Sequence, residues 1–392
     1  MDLKKSPSLF LLVNFLFTLH FALTSYINSS FLALFVPITQ VGFLFSISAL
    51  LSLIVLSYLE RFLIRFSERI VTLVLLFLDI VALGVLSWHG VMSPIFAFLA
   101  ITAFIVHTSI ALFILRTVLD IYFEEKSSDK ETGVFRGELL TSANIAWVLS
   151  SLIVSQILFA SDFWKPYSIA FFITSILFLL LYIRMPRRGV IVKPIFFLAT
   201  IKSAWQQKDI SLATLANFLM HFYFSWMIIY LVPHLEVIGF SKENVYLIIS
   251  VMLLPYVLVD IPLGKLVDRY GEKTFLFFGF LIMAIFTLVI GMTIKNGFLF
   301  WAVILFATRI GAAMVELTTD TYFFRHVQAY DGNMISFYRY AQPLAYIVGP
   351  LLASILLLIG ITETNLFTVL SGITLLGIII SFFLTGKLSR KA

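Results

Sequence analysis

Gly264-Lys265-Leu266-Val267-Asp268-Arg269-Tyr270-Gly271-Glu272-Lys273 is a polar stretch set between two long apolar runs. Its glycines have physical uses: Gly264 permits close approach at a helix end, and Gly271 suits a turn with φ > 0. Asp268 and Arg269 stand where an ion pair or a neighbouring helix end could hold one side of a bundle shut. A plain solvated loop would account for Lys265 and Lys273, but not for the framework of Gly, Asp-Arg and Gly. A weaker copy, Glu60-Arg61-Phe62-Leu63-Ile64-Arg65-Phe66-Ser67-Glu68-Arg69, lies 204 residues earlier. Around it, Ser8-Leu9-x-x-Leu12-x-Asn14-Phe15-Leu16 recurs from Ser211 to Leu219 at an offset of 203, and Asp120-x-Tyr122-Phe123 recurs as Asp320-x-Tyr322-Phe323 at 200. Three matches in one order at a nearly constant offset make the chain two parallel copies of one unit.

Those copies belong in a membrane. Of 392 residues, 61% are hydrophobic and 12% charged, and mean hydropathy is +1.04. A soluble chain carries about 25% charged residues, so this is an integral membrane protein. With no cysteine, disulfides, thiolate metal sites and cysteine nucleophiles are excluded. Crossing the hydrocarbon core takes about 20 apolar residues per helix. Windows of that size predict six helices at roughly 8–28, 41–59, 71–88, 95–118, 138–159 and 167–184. Six more fall at roughly 211–232, 244–263, 274–294, 298–318, 336–359 and 365–385. The first follows Lys4 and Lys5, but it is too long for a signal-peptide core and lacks a small-residue cleavage site, so it is read as a retained helix. The expected fold class is an all-α integral membrane protein, with twelve transmembrane helices in two pseudo-symmetric six-helix bundles. Residues 1–184 form the first bundle, 185–210 a linker and 211–392 the second bundle.

The charge of +6 is a matter of topology. Lysines and arginines crowd the loops of one side, while the opposite loops hold only Lys165, Lys242 and Lys295. That bias puts both termini and the linker in the cytoplasm and removes any need for a nucleic-acid partner. Within the linker, Ile195, Phe196, Phe197, Leu198, Ile201 and Trp205 between Lys193 and Lys208 read as an interfacial helix on the cytoplasmic leaflet. Parallel repeats of six spans mark one class of secondary transporter.

The decapeptide closely resembles the signature G-x-L-x-D-R/K-x-G-x-R/K of the major facilitator superfamily, found between spans two and three and between spans eight and nine. The second copy is nearly complete. The first is eroded, with Glu60, Ile64 and Ser67 in place of the glycines and the aspartate. The resemblance implies alternating access, with spans one, four, seven and ten around a central cavity and spans three, six, nine and twelve at the periphery. It implies a small-molecule substrate and no cofactor, metal or catalytic residue. A monomer in the plasma or inner membrane is expected. Substrate identity, direction (efflux included) and coupling stay open. At the cytoplasmic ends, Glu316 or Asp320 of span ten would meet Arg269. With Gly264, Asp268, Gly271 and Lys273 they would form a cytoplasmic gate.

Ionisable residues inside a bilayer are costly and usually face a bundle interior. His20, His107, His221 and Arg309 fall near the middle of spans one, four, seven and ten. Asp79 breaks the pattern, because span three is expected at the periphery. Asn14 and Asn217 occupy matching positions below the histidines, and Asn144 lies within span five. These eight residues are the candidate substrate or proton pathway. Each has a plainer reading as a packing or interhelical hydrogen bond. The permanent charge of Arg309 suits an anionic or strongly accepting group on the substrate. Gly349-Pro350 kinks span eleven. Span five lacks the Gly-Pro motif of many drug/proton antiporters of the superfamily, which puts antiport in doubt. The alternative of a polytopic membrane enzyme such as an acyltransferase rests on His326-x-x-x-x-Asp331, a spacing that chance supplies easily. A transporter fold serving as a receptor or scaffold is the third reading.

Overall fold

The computed structural model describes residues 7–89, 93–124, 132–159, 162–185, 206–293, 295–327 and 332–385. Most of the linker, with its expected interfacial helix, and Asp331 lie outside them, as do the side chains of Lys265 and Asp268. Among the described residues eleven helical segments are long and apolar enough to cross a membrane, and the architecture is all-helical. Span one is Pro7–Ser25, and spans two and three share the continuous assignment Ile38–Leu86. Span four runs through Pro94–Ser109, a π-helical turn Ile110–Ile114 and Leu115–Glu124. Spans five and six are Thr132–Ile157 and Trp164–Arg184. In the second copy, spans seven, nine, ten and twelve are Lys208–Val237, Glu272–Met292, Phe298–His326 and Glu363–Phe383. Span eleven is divided into Gly332–Arg339 and Ala341–Leu358.

Span eight departs from the expected single helix over 244–263. It is three pieces, Lys242–Leu253, Pro255–Leu258 and Asp260–Tyr270. Pro255 and Pro262 carry no N–H to donate. The backbone tightens at the first break, where Leu254 N bonds Val251 O and Val257 N bonds Leu254 O.

The chain forms two compact units: 1–192 with 235–250, and 193–234 with 251–392. In the first, Phe10, Val13 and Phe17 of span one pack with Leu76 of span three, Leu115 and Val118 of span four, and Leu177 and Leu181 of span six. Residues 235–250 are tied into this unit by polar contacts. Ser30 Oγ donates to Glu236 at 3.2 Å, and Tyr246 Oη donates to the Tyr26 carbonyl at 3.4 Å. Lys242 Nζ stands 3.8 Å from Glu236 and 4.0 Å over the Phe163 ring. Burial lowers the ammonium pKa of Lys242, and the charge of Glu236 partly offsets this.

In the second unit small residues set the distances between helices, as they do where apolar lipid offers no hydrophobic drive to associate. A Cβ on Gly279 of span nine would stand 2.9 Å from the Gly311 carbonyl of span ten, and one on Gly311 would stand 2.7 Å from the Gly279 carbonyl. Gly349 leaves room for the Ser225 hydroxyl, and the indole N–H of the neighbouring Trp226 donates to the Gly349 carbonyl at 2.7 Å.

The two copies repeat their framework bonds. Asn14 Nδ2 donates to Leu139 O at 2.8 Å, and Asn217 Nδ2 donates to Tyr338 O at 3.2 Å. Arg69 donates to Tyr182 O at 2.5 Å, and Lys273 donates to Phe382 O at 2.8 Å. Each basic side chain thus ties the loop motif to the end of the last span of its own copy.

Candidate functional site

Asp79 is where the expectation and the structure part. Span three does expose one side, with Phe77, Leu78 and Val81 on it. A second stripe at helical spacing, Thr72, Leu76, Asp79, Leu83 and Leu86, is buried. A helix at the rim of a bundle still has an inner face, and Asp79 is on it. His20 and His107 meet it there, and all three side chains are 0% exposed.

The distances divide the cluster unevenly. His107 Nδ1 is 2.7 Å from Asp79 Oδ1, a short hydrogen bond to a charged group. His20 Nε2 is 3.2 Å from Asp79 Oδ2, but neither atom makes a well-directed hydrogen bond. The two imidazoles stand edge to face with centroids 6.1 Å apart. On the far side of His107, Nε2 lies 2.9 Å from Thr24 Oγ1. The Thr24 hydroxyl also lies 2.9 Å from the Phe21 carbonyl and donates to it.

Span four is held in place directly below His107. Ser109 Oγ donates to Ser48 O at 2.8 Å, and Ser52 Oγ donates to Ser109 O at 3.1 Å. The π-helical turn begins at the next residue, Ile110. A π turn takes one residue more than an α turn and commonly sits at functional positions. Here two serines of span two fasten its start, which fixes the rotation of His107 toward Asp79.

Metal binding is the first alternative use for such a group. The three donors lie within 4.8 Å of one another. Two ligands on a tetrahedral ion, each at about 2.1 Å, stand about 3.4 Å apart. The 2.7 Å between His107 and Asp79 is hydrogen-bond spacing instead. As arranged, His107 and Asp79 stand at the distance of a hydrogen bond rather than that of two ligands on one ion.

In the second unit Arg309 is 2% exposed. Its guanidinium lies 5.3 Å from the Phe224 ring centroid and 5.9 Å from that of Tyr223, both on span seven. Thr287 of span nine donates to the Tyr223 hydroxyl at 3.3 Å. His221 is partly exposed and packs its ring against Phe224 at 5.9 Å. Asn144 is half-buried on span five. Asn14 and Asn217 spend their amides on the backbone bonds already described.

Around the loop motif, Gly271 has φ 89° and ψ 152°, a conformation strained for any side chain. Ser67, its counterpart, adopts φ 65° and ψ 153°. The Arg269 guanidinium lies over the Tyr270 ring at 5.2 Å, and Asp320 accepts a short hydrogen bond from Tyr338 Oη. Gly264 has open space around its Cα, and Glu316 is half-buried. Asp209 gathers Tyr322 Oη at 2.5 Å and Thr385 N at 3.3 Å. His326, the base of the enzyme alternative, stacks on Tyr322 and bonds its carbonyl, one turn back along the same helix.

Three participants escaped the sequence reading. Thr24 lies one turn after His20, so the same helical spacing could have drawn attention to it. Glu272, 5% exposed at the start of span nine, pairs with Arg325. Its counterpart Glu68 is likewise buried, so the repeated acid in both copies of the motif was the available signal. His234 is enclosed between the rings of Trp301 and Phe367, and no motif pointed to it.

The description Major Facilitator Superfamily matches residues 210–391. No curated protein sequence matches the chain. Among solved structures, the xylose transporter XylE from E. coli superimposes with a TM-score of 0.75 at 13% identity, covering 98% of both chains. The nucleoside transporter NupG gives 0.73 at 13% identity, over 98% of this chain and 99% of its own. The human organic anion transporter MFSD10 gives 0.64 at 16% identity, over 97% and 100%. At such identities the likeness is one of fold. The second copy thus matches the sequence pattern of the major facilitator superfamily, and the whole chain shares the fold of these transporters.

Proposed function

We propose that the protein is a proton-coupled secondary transporter of a small, acceptor-bearing solute, working by alternating access in a cell membrane with both termini cytoplasmic. The family match over residues 210–391 favours a transporter over a membrane enzyme. The observation that carries the coupling is the fully buried His20–Asp79–His107 cluster. Titratable groups inside a membrane bundle are expensive to keep, and proton relays are one of their common uses. His221 is a further candidate on span seven.

The fold does not choose the solute, since its structural relatives carry nucleosides, xylose and organic anions. The choice of an anion or strong acceptor rests on Arg309. Its charge is permanent, and its flat guanidinium is laid against two aromatic rings, an arrangement suited to gripping a planar carboxylate or phosphate with two bonds. Asn144 belongs to the same proposed pathway. In this reading the loop residues Gly264, Asp268, Arg269, Gly271 and Lys273, with Glu316 and Asp320, govern closure on the cytoplasmic side. The working unit is a monomer.

The test is reconstitution. In proteoliposomes, solute flux should rise when a pH gradient is imposed. A ligand screen on purified protein should yield anions, because a ligand that binds the folded state raises its melting temperature. Arg309→Lys should weaken that binding about tenfold and Arg309→Gln more, by loss of about 1.5–3 kcal/mol for hydrogen bonds to a charged group. Flux indifferent to the gradient would reject coupling. Unchanged binding in both variants, or a screen yielding only hydrophobic cations, would reject the anion.

A further inference from the structure

Thr24 has one hydroxyl hydrogen and two neighbours at 2.9 Å, the Phe21 carbonyl and His107 Nε2. The carbonyl can only accept. If Thr24 donated to the imidazole, its oxygen would face the carbonyl oxygen with no hydrogen between them. The arrangement that leaves no such collision runs His107 Nε2–H to Thr24 Oγ1–H to Phe21 O. Nε2 therefore carries a hydrogen. On the other side of the same ring, Nδ1 faces Asp79 Oδ1 at 2.7 Å, a distance that needs a hydrogen as well. An imidazole with hydrogens on both nitrogens is an imidazolium.

Charge points the same way. Asp79 is 0% exposed, and an ionised carboxylate so placed needs a counter-charge. The titratable groups facing His107 are Asp79 from span three and His20 from span one. Span two presents the Ser48 carbonyl and the Ser52 hydroxyl at Ser109, neither of them titratable. One proton on His107 makes the Asp79–His107 pair neutral.

We infer that Thr24 is a positioning residue which fixes His107 as the imidazolium partner of Asp79, so that the cluster holds one proton at rest. The inference rests on the proton-coupled reading for its place in transport, and it adds a consequence. Loss of that proton leaves His107 Nδ1 and Asp79 Oδ1 as two acceptors at hydrogen-bond distance, which repel. Spans three and four are pushed apart at this point, beside the π turn at Ile110–Ile114. His20 faces the other carboxylate oxygen and is the neighbour through which the proton passes.

The experiment uses full-length protein labelled with 15N-histidine in lipid nanodiscs, with the His107 signals assigned by their loss in His107→Gln. At neutral pH both ring nitrogens of His107 should carry hydrogen. Thr24→Val should turn His107 into a neutral imidazole with one bare nitrogen, and should lower the midpoint of the flux–pH profile by roughly one unit. Thr24→Ser, which keeps the hydroxyl, should restore both. A wild-type His107 with a bare Nε2 would overturn the inference, since Thr24 would then be the donor. So would a Thr24→Val spectrum identical to that of wild type, or stoichiometric binding of Zn2+ alone that is lost in Asp79→Asn. The spectrum needs no transport: an imidazolium at His107 with flux indifferent to pH upholds the role of Thr24 and rejects the coupling.

Discussion

At equivalent places the two copies hold different chemistry on the same frame. The counterparts of His20, Asp79 and His107, at the offsets of their own segments, are Tyr223, Met283 and Ala307. The first unit therefore has a titratable cluster where the second has a phenol, a thioether and a methyl group. Near mid-span the second unit instead buries Arg309, two residues past the counterpart of His107, against Tyr223 and Phe224. What both copies keep is the framework: an asparagine bonded to a backbone carbonyl across two spans, and a basic side chain closing the loop onto the last span. The repeat preserved the bonds that hold helices at their spacing. It let the interior diverge into a carboxylate–imidazole cluster in the first unit and a permanent charge in the second.

The strongest way to break this comparison is to exchange the polar centres. Asp79→Asn leaves two imidazoles without their carboxylate, and breaking a buried charge pair costs about 3–5 kcal/mol. Proton-driven flux should be abolished and the melting temperature clearly lowered. Met283→Leu, at the equivalent place, is a volume-conserving apolar change worth less than about 1.5 kcal/mol and should leave flux intact. Equal losses in the two variants would show that the clustered charges serve packing alone. Melting curves and proteoliposome flux together decide it.

A smaller effect tests the loop. Ser67 adopts in the first copy the positive-φ conformation that Gly271 adopts in the second. A side chain in such a region costs on the order of 1–3 kcal/mol. Ser67→Gly should therefore stabilise the protein and Gly271→Ser destabilise it, by similar amounts of about 1 kcal/mol. Two shifts of the same sign in thermal unfolding would refute the equivalence of the two turns.

The smallest effect concerns the asparagines. Interhelical hydrogen bonds in membranes average about 0.6 kcal/mol, so Asn14→Ala and Asn217→Ala should each lower stability by about that much. If they serve only as framework, neither should move the flux–pH profile. A shifted profile in Asn14→Ala would return that residue to the proton pathway.

The signature around Gly271, the repeat and eleven of the twelve spans were legible along the chain, because apolar runs and charge bias are properties of neighbouring residues. Span eight was only half legible. Its apolar window was plain, but Pro255 and Pro262 were read through, and the helix breaks at Leu254, just before Pro255, and at Val259, three residues before Pro262. The histidines and Arg309 stood out by the rarity of charge in lipid. Asp79 stood out too, yet its helix's place at the rim suggested the wrong surroundings. The spacing of Thr72, Leu76, Asp79, Leu83 and Leu86 already marked a buried stripe. Which neighbours that stripe would meet depended on how each helix is turned about its own axis, and no local pattern specifies that rotation. Asp79 and His107 lie 28 residues apart in sequence, and Thr24 and His107 lie 83 apart. Tertiary structure brought them to hydrogen-bond distance through the serine clasp and the π turn on span four. Membrane class, repeat and loop motif thus belong to the sequence itself. The His20–Asp79–His107 cluster exists only because three separately specified helices were rotated and packed to face one another.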